Sequence, residues 1–394
     1  MLFKMAKKIK TNAFPLWALL SLGTAYFMVG TSSLSVIGLT WEISAGLEVS
    51  PAEIAFLMTV FALTFAIAAP LIQVFLSHLP RIRILCAGLA IMALALVMGA
   101  FATSYDVLFV SRGLMGLGAA SVSPMCSAIG AGLAPPDQQG RAMGIVFGGL
   151  TVASVLGTPI SAYLGTLIGW RMVFLLLAFC ALAAATLVWL LVHDRLAGAR
   201  TSISHLVEAL IQRRSAFAIL VTFLQMTSIF CTYALIAPYM AIEFGLADGW
   251  IAVVLLVYGI SGVSGNIIAG RLSDRFGPEK IIFISLIGYG GAISILLFIG
   301  ASLPLAFTAI SLWALFGMMF HSPQQQRIAN IEPERRSLLL ALNAGALYLG
   351  ISLGSYISNL ASVNFGYESL PIFSLGILLL CLITFLPSLL ASKR

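Results

Sequence analysis

Apolar residues in this chain neither alternate nor form a one-sided stripe; they run on for about twenty positions at a time between short polar breaks. A bilayer crossing takes about 20 mostly apolar residues. Twelve such runs can be read, at 15–39, 53–77, 84–102, 105–131, 142–166, 171–192, 216–241, 249–270, 280–300, 303–326, 337–362 and 368–390. Membrane β-strands would alternate over about 10 positions, so the pattern predicts an all-α membrane protein. The first run follows Lys4, Lys7, Lys8 and Lys10 but is too long for a signal peptide and lacks a small-x-small cleavage site. It reads as an uncleaved first span.

Composition agrees with that reading, because 9% charged and 60% apolar residues cannot clothe a water-facing surface. The net charge of +7 forms no patch that would suit nucleic acid. With the N-terminus cytoplasmic, all of the 21 Lys and Arg except Arg112 and Arg171 fall on the cytoplasmic side. Glu42, Glu48, Glu53, Glu243, Asp248 and Glu368 fall at or near outer span ends. Both termini are thus expected in the cytoplasm, with loops near Arg81, Arg141, Arg275 and Arg335 inside. The five cysteines lie within spans without metal-ligand spacing and read as packing residues.

A shift of 197, half of 394, superposes the two halves of the sequence. Pro136-Asp137 falls on Pro333-Glu334, and Gly169-Trp170-Arg171 on Gly366-Tyr367-Glu368. Span 5 carries Gly149, Ala153, Gly157, Ser161 and Gly165; the shift lands on Ala346, Gly350, Gly354, Ser358 and Ser362 in span 11. Small residues every fourth position let helix backbones approach closely. The expected domains are 1–192 and 216–394, two parallel-repeat six-helix bundles around a central cavity, joined by a charged cytoplasmic linker at 193–215.

Several motifs carry a resemblance. Gly270-Arg271-Leu272-Ser273-Asp274-Arg275-Phe276-Gly277, between spans 8 and 9, resembles the G-x-L-x-D-R-x-G loop of the major facilitator superfamily, with Pro278 and Glu279 replacing basic residues. The first-half copy is degenerate, with Ser77 where the acid would stand. Ser111-Arg112-Gly113-Leu114-Met115-Gly116-Leu117-Gly118-Ala119-Ala120 is similar to the family's R-x-x-x-G-x-G-A-A element, and Gly157-Thr158-Pro159 to the glycine-rich element of its exporters. The resemblance implies alternating access by two rocking bundles, with a substrate site between them near midplane, and points to the drug/proton antiporter and sugar/nucleoside efflux branch. Gly157, Pro159, Gly270, Asp274, Arg275, Gly277 and Gly354 are the gating candidates.

Spans 1, 4, 7 and 10 should line the cavity, making Tyr26, Phe27, Thr31, Met115, Ser123, Gln225, Tyr233, Phe316, Met319, His321 and Gln324 the substrate-binding candidates. Aromatics and methionines offer adaptable apolar contact and a few amides or hydroxyls fix orientation, which suits a small amphipathic solute. No Asp or Glu stands in the middle of a span, and Arg112 lies about 10 Å inside one. Proton coupling would then involve Arg112 with Glu42, Glu243 or Asp106, of which Asp106 does not share a helix face with Arg112, or His321 on the inner side. No nucleotide-binding loop, zinc-protease pair or nucleophile elbow is present. The expectation is a monomeric, proton-coupled exporter in a bacterial inner membrane that needs no cofactor; the alternatives are uptake or facilitated diffusion and, from another class, a membrane enzyme or sensor.

Overall fold

A computed structural model describes residues 14–76, 78–133, 139–193, 211–298, 302–331 and 336–392. The four N-terminal lysines, Ser77, Pro136-Asp137, Pro333-Glu334, Arg335 and most of the linker lie outside the described residues. The first half comprises α1 (Leu16–Gly38), α2 (Thr40–Leu47), α3 (Pro51–Phe75), α4 (Arg81–Ala100), α5 (Tyr105–Leu133), α6 (Gln139–Val152), α7 (Thr158–Ile168) and α8 (Trp170–Leu191). The second comprises α9 (Arg213–Tyr233), α10 (Ile236–Phe244), α11 (Asp248–Phe276), α12 (Pro278–Phe298), α13 (Leu303–Met319), α14 (His321–Ile331), α15 (Arg336–Phe365) and α16 (Leu370–Ser392). Twelve helical stretches among the described residues are long and apolar enough to cross a membrane. An even number puts both chain ends on one side, termed here the terminal side; the other is the far side.

Three expected continuous spans are interrupted in the structure. Span 7 turns at Ala234-Leu235; span 10 breaks at Phe320; span 5 opens into a π turn, Ala153–Gly157, between α6 and α7; span 1 ends at Gly38, close to its expected end, and the short helix α2 follows it. Pro159 explains the π turn. It has no N–H, and its ring crowds the carbonyl four residues back, at Val155, so the backbone widens there.

Burial sorts the spans into layers. The most enclosed are the first and seventh, with 78% and 72% of their most apolar windows buried, which makes them central. Spans 3, 6, 9 and 12 turn large apolar residues outward, among them Leu94, Phe179, Ile287 and Ile383. Those faces suit lipid.

The sequence repeat returns as repeated packing. A Cβ on Gly157 would strike Thr31 of α1, and one on Gly354 would stand 2.5 Å from the Thr227 carbonyl of α9, so spans 5 and 11 seat on spans 1 and 7 in the same way. Gly169 and Gly366, 197 apart, both adopt positive φ (78° and 80°) at the turns into the sixth and twelfth spans. With ψ near 153° and 168° this is a region open essentially to glycine alone.

The bundles meet along two seams. In one, α3 lies against α15, with Thr59 and Ser352 joined and Asn359 Nδ2 donating to the Ala52 carbonyl. In the other, the π turn and α7 lie against α11, where a Cβ on Gly259 would stand 2.6 Å from the Ser154 carbonyl. On the far side α2 also touches α10.

Candidate functional site

Exposure along the two central spans locates an opening. On α1, Trp17, Leu20 and Thr24 are exposed and Phe27 is half-buried, while from Met28 to Thr40 only Leu34 is not buried. On α9, Phe217 and Leu224 are half-buried and Leu220 is exposed, while residues 225–240 are all buried. The shift of 197 carries Leu20 and Phe27 onto Phe217 and Leu224. Because α1 is flanked by α3, α5, α6, α7 and α8 of its own bundle and touches α10 and α11 of the other, its exposed stripe faces the space between bundles. That space opens to the terminal side and closes at Phe27 and Leu224, about 16 Å from the start of each helix.

At the closed end lies a layer of polar and aromatic groups. Counting about 1.5 Å per residue from the terminal-side helix ends, Tyr26, Ser123, Phe65, Tyr348 and Gln225 stand roughly 15–18 Å deep. Tyr26 neighbours Ser123, Ser127 and, across the seam, Tyr348, and meets Phe147 edge-on at 5.3 Å. Tyr348 stacks on Phe65 with centroids 3.7 Å apart. Gln225 is fully buried with neither amide atom bonded, and the hydroxyls of Thr31 and Ser123 are likewise buried and unpartnered. Unmade buried hydrogen bonds are costly. Polar groups left this way at the end of an open funnel are ready to meet a solute or water.

The remaining candidates divide. Phe27 marks the closing level. Gln324 reaches α9, donating to the Ala218 carbonyl (2.7 Å) and Thr222 Oγ1 (3.0 Å), with its own carbonyl free. Tyr233 sits deeper, stacked on Tyr258 at 4.4 Å and edge-on to Trp313, where the Tyr258 hydroxyl and Trp313 Nε1 are unpartnered. Phe316 instead turns toward Gly288 of α12, and Met319 packs with Ala269 and Ile281 inside the second bundle. Those two are not brought to the funnel. His321 is half-buried at the α13–α14 break beside Phe320.

Arg112 is fully buried on α5. Its two terminal nitrogens donate to the Ser32 and Ser33 carbonyls of α1, both at 2.9 Å; Met115 and Met58 sulfurs flank it, and its carbon lies 5.0 Å from the Phe61 ring centroid. The guanidinium thus ties three helices of the first bundle together through carbonyls rather than an acid. Glu42 lies beside Gly165 of α7, and Asp106 is exposed in the first turn of α5. Glu243, on α10 outside the spans, has its carboxyl pushed above 4.5 by partial burial and then by the Glu368 carboxylate.

In the loop motif, Gly277 caps α11 with φ 86°, Asp274 accepts from Gln326 Nε2 at 3.4 Å, Ser273 bonds the same side chain, and Arg275 lies over Phe276. A Cβ on Gly270 would stand 3.3 Å from Ser322 Oγ. The partners of this motif are amides and hydroxyls of α14, within one bundle. Sequence reasoning missed Tyr258, Trp313 and Tyr348, whose aromatic character is common to many lipid-facing positions. It also missed Thr59 and Ser352, although Ser352 is the repeat image of Val155 in the π turn.

The sequence model described as Major Facilitator Superfamily matches residues 20–218 and again 218–393. The chain is 28% identical over 359 residues to the inner membrane transport protein YdhP of Escherichia coli O157:H7, covering 90% of this chain and 92% of that one. It is 33% identical over 268 residues to a chloramphenicol resistance protein of Streptomyces lividans, covering 67% and 68%. Its fold is similar to that of a bacterial homologue of the human lysosomal transporter Spinster in an inward-facing, occupied conformation, with a TM-score of 0.74, 18% identity and coverage of 96% and 97%. Twelve spans, two repeated bundles and a match to the family over nearly the whole length lead to one conclusion: the chain belongs to the Major Facilitator Superfamily and is an integral membrane transporter, not an enzyme.

Proposed function

We propose that this transporter exports a small amphipathic molecule from the cytoplasm by alternating access, in exchange for protons. The observation that carries the reading is the paired funnel on α1 and α9, open to the terminal side and ending at Tyr26, Ser123, Gln225 and Tyr348. The bias of Lys and Arg assigns the terminal side to the cytoplasm, so the form described here is the loading form of an exporter. Aromatic rings with a few unpaired amides and hydroxyls, and no acid at that depth, favour a solute that is weakly polar and carries hydrogen-bonding groups. Relatives named for chloramphenicol resistance and for probable sugar efflux in Haemophilus influenzae point the same way. The transporter works as a monomer, with both termini in the cytoplasm and the linker across 193–215 joining the bundles.

The test is uptake of labelled chloramphenicol, or of a labelled sugar, into everted membrane vesicles energised acid inside. Accumulation that collapses with a protonophore supports proton-driven export. Equilibration that ignores the gradient favours facilitated diffusion, a reading that Arg112 also favours because carbonyls rather than an acid hold it.

A further inference from the structure

The second bundle contains another buried guanidinium, for which transport as proposed above has no use. Arg327 of α14 is 3% exposed. Its Nη2 donates to the carbonyl (2.9 Å) and hydroxyl (2.6 Å) of Ser388 on α16, and its carbon lies 5.3 Å from the Phe385 ring centroid. Nε and Nη1 are buried and bond nothing. Arg327 lines a cavity of about 120 Å³ on the terminal side, together with Arg214, Pro278, Glu279, Asn330 and Ile331.

Each wall contributes something an anion would use. Arg214 comes from the first turn of α9 and is half-buried. Pro278 and Glu279 begin α12, whose first amide groups and dipole favour negative charge. Asn330 adds an amide. Glu279 lies close enough to attract Arg327 but leaves its Nε and Nη1 without a hydrogen bond, and the charged lining residues, two arginines and one carboxylate, sum to one positive charge. The volume exceeds the roughly 30 Å³ share of one water and falls well below the ~300–1,000 Å³ of a drug-sized site.

We propose that this cavity binds a single tetrahedral oxyanion of the phosphate class, held by the unmade donors of Arg327 and by Arg214. Guanidinium forks match such oxygens in pairs, and one net positive charge suits a monoanion. Inorganic phosphate and the phosphodiester of an anionic lipid share that chemistry. Bound there, the anion links the terminal-side ends of α9, α12 and α14 and stabilises the second bundle.

The purified transporter in dodecyl maltoside would be melted against sodium phosphate at constant ionic strength, with chloride as the control, and in a second arm against added phosphatidylglycerol. A species that binds only the folded protein raises its melting temperature with concentration. The proposal predicts a rise in at least one arm, and the arm that responds identifies the source. Arg214→Gln, a change at a half-buried position that leaves the fold intact, should abolish the rise, and Arg327→Lys, which keeps the charge but loses the fork, should reduce it. No rise in either arm for the unmodified protein, or the same rise in both variants as in it, would overturn the proposal.

Discussion

Thr59 and Ser352 exchange two hydrogen bonds across the seam between the bundles, each hydroxyl donating to the other residue's backbone carbonyl at 3.2 Å. The pair sits between the Asn359–Ala52 bond toward the far side and the Phe65–Tyr348 stack toward the funnel. It therefore lies on the contact that must loosen when the bundles rock.

Interhelical hydrogen bonds in membranes average about 0.6 kcal/mol each, so the pair is worth about 1 kcal/mol. Thr59→Val combined with Ser352→Ala should lower the ratio of far-side-closed to far-side-open molecules roughly five- to tenfold. Distances between spin labels on α2 and α10, measured by pulsed electron resonance, would report it. An unchanged distribution would show that the seam is held elsewhere.

Small residues on span 5 and span 11 are predicted to differ in tolerance according to what faces them. Gly354→Ala directs its methyl at the Thr227 backbone carbonyl, which cannot move away alone, whereas Gly157→Ala meets only the Thr31 side chain. Gly354→Ala should cost about 1–3 kcal/mol, as overpacking does, and Gly157→Ala should be rescued by Thr31→Ala. Gly148, with nothing within 4 Å of its Cβ direction, should accept alanine without loss. Thermal melting of the purified variants would rank them.

Arg112→Lys should be nearly as harmful as Arg112→Ala. One ammonium cannot reproduce the planar pair of bonds to the Ser32 and Ser33 carbonyls, and charge-assisted hydrogen bonds are worth about 1.5–3 kcal/mol each. Both variants should melt lower and lose at least tenfold in flux. Full activity in Arg112→Lys would show that charge alone is required.

Twelve spans and two repeats were legible because lipid demands long apolar helices and the small-residue register survives in both halves. The breaks in spans 7 and 10 were not, since Ala234 and Phe320 carry no helix-stopping signature in an apolar run. Pro159 did carry one, in a span read as continuous. At the site, Gln225 stood out as an amide amid apolar residues, while Phe316 and Met319 could not be told from packing residues without knowing which face of span 10 meets α12. The carbonyl partners of Arg112 belong to the backbone, and a search among acids could not find them.

Glu243 gives the account a pH dependence with a definite sign. In the form described here partial burial, and secondarily Glu368, raise its pKa above 4.5, so this form holds the proton more tightly than one in which parting of α2 from α10 returns the carboxyl to water. Closure of the far side is therefore favoured below the raised value and weakened as pH climbs through it. Glu243→Gln should flatten that dependence in spin-label distances between α2 and α10. An equal pH response in the variant would remove Glu243 from the coupling.

The central claim is that one layer of groups, ending at Phe27 and Leu224, is reached from the cytoplasm in this form and is where the solute binds. Phe27→Cys in an otherwise cysteine-free transporter, treated with a membrane-impermeant maleimide in everted and in right-side-out vesicles, tests it most directly. The account predicts labelling in everted vesicles that slows when a transported solute is present. Labelling confined to right-side-out vesicles, or labelling that no transported solute slows, would contradict it.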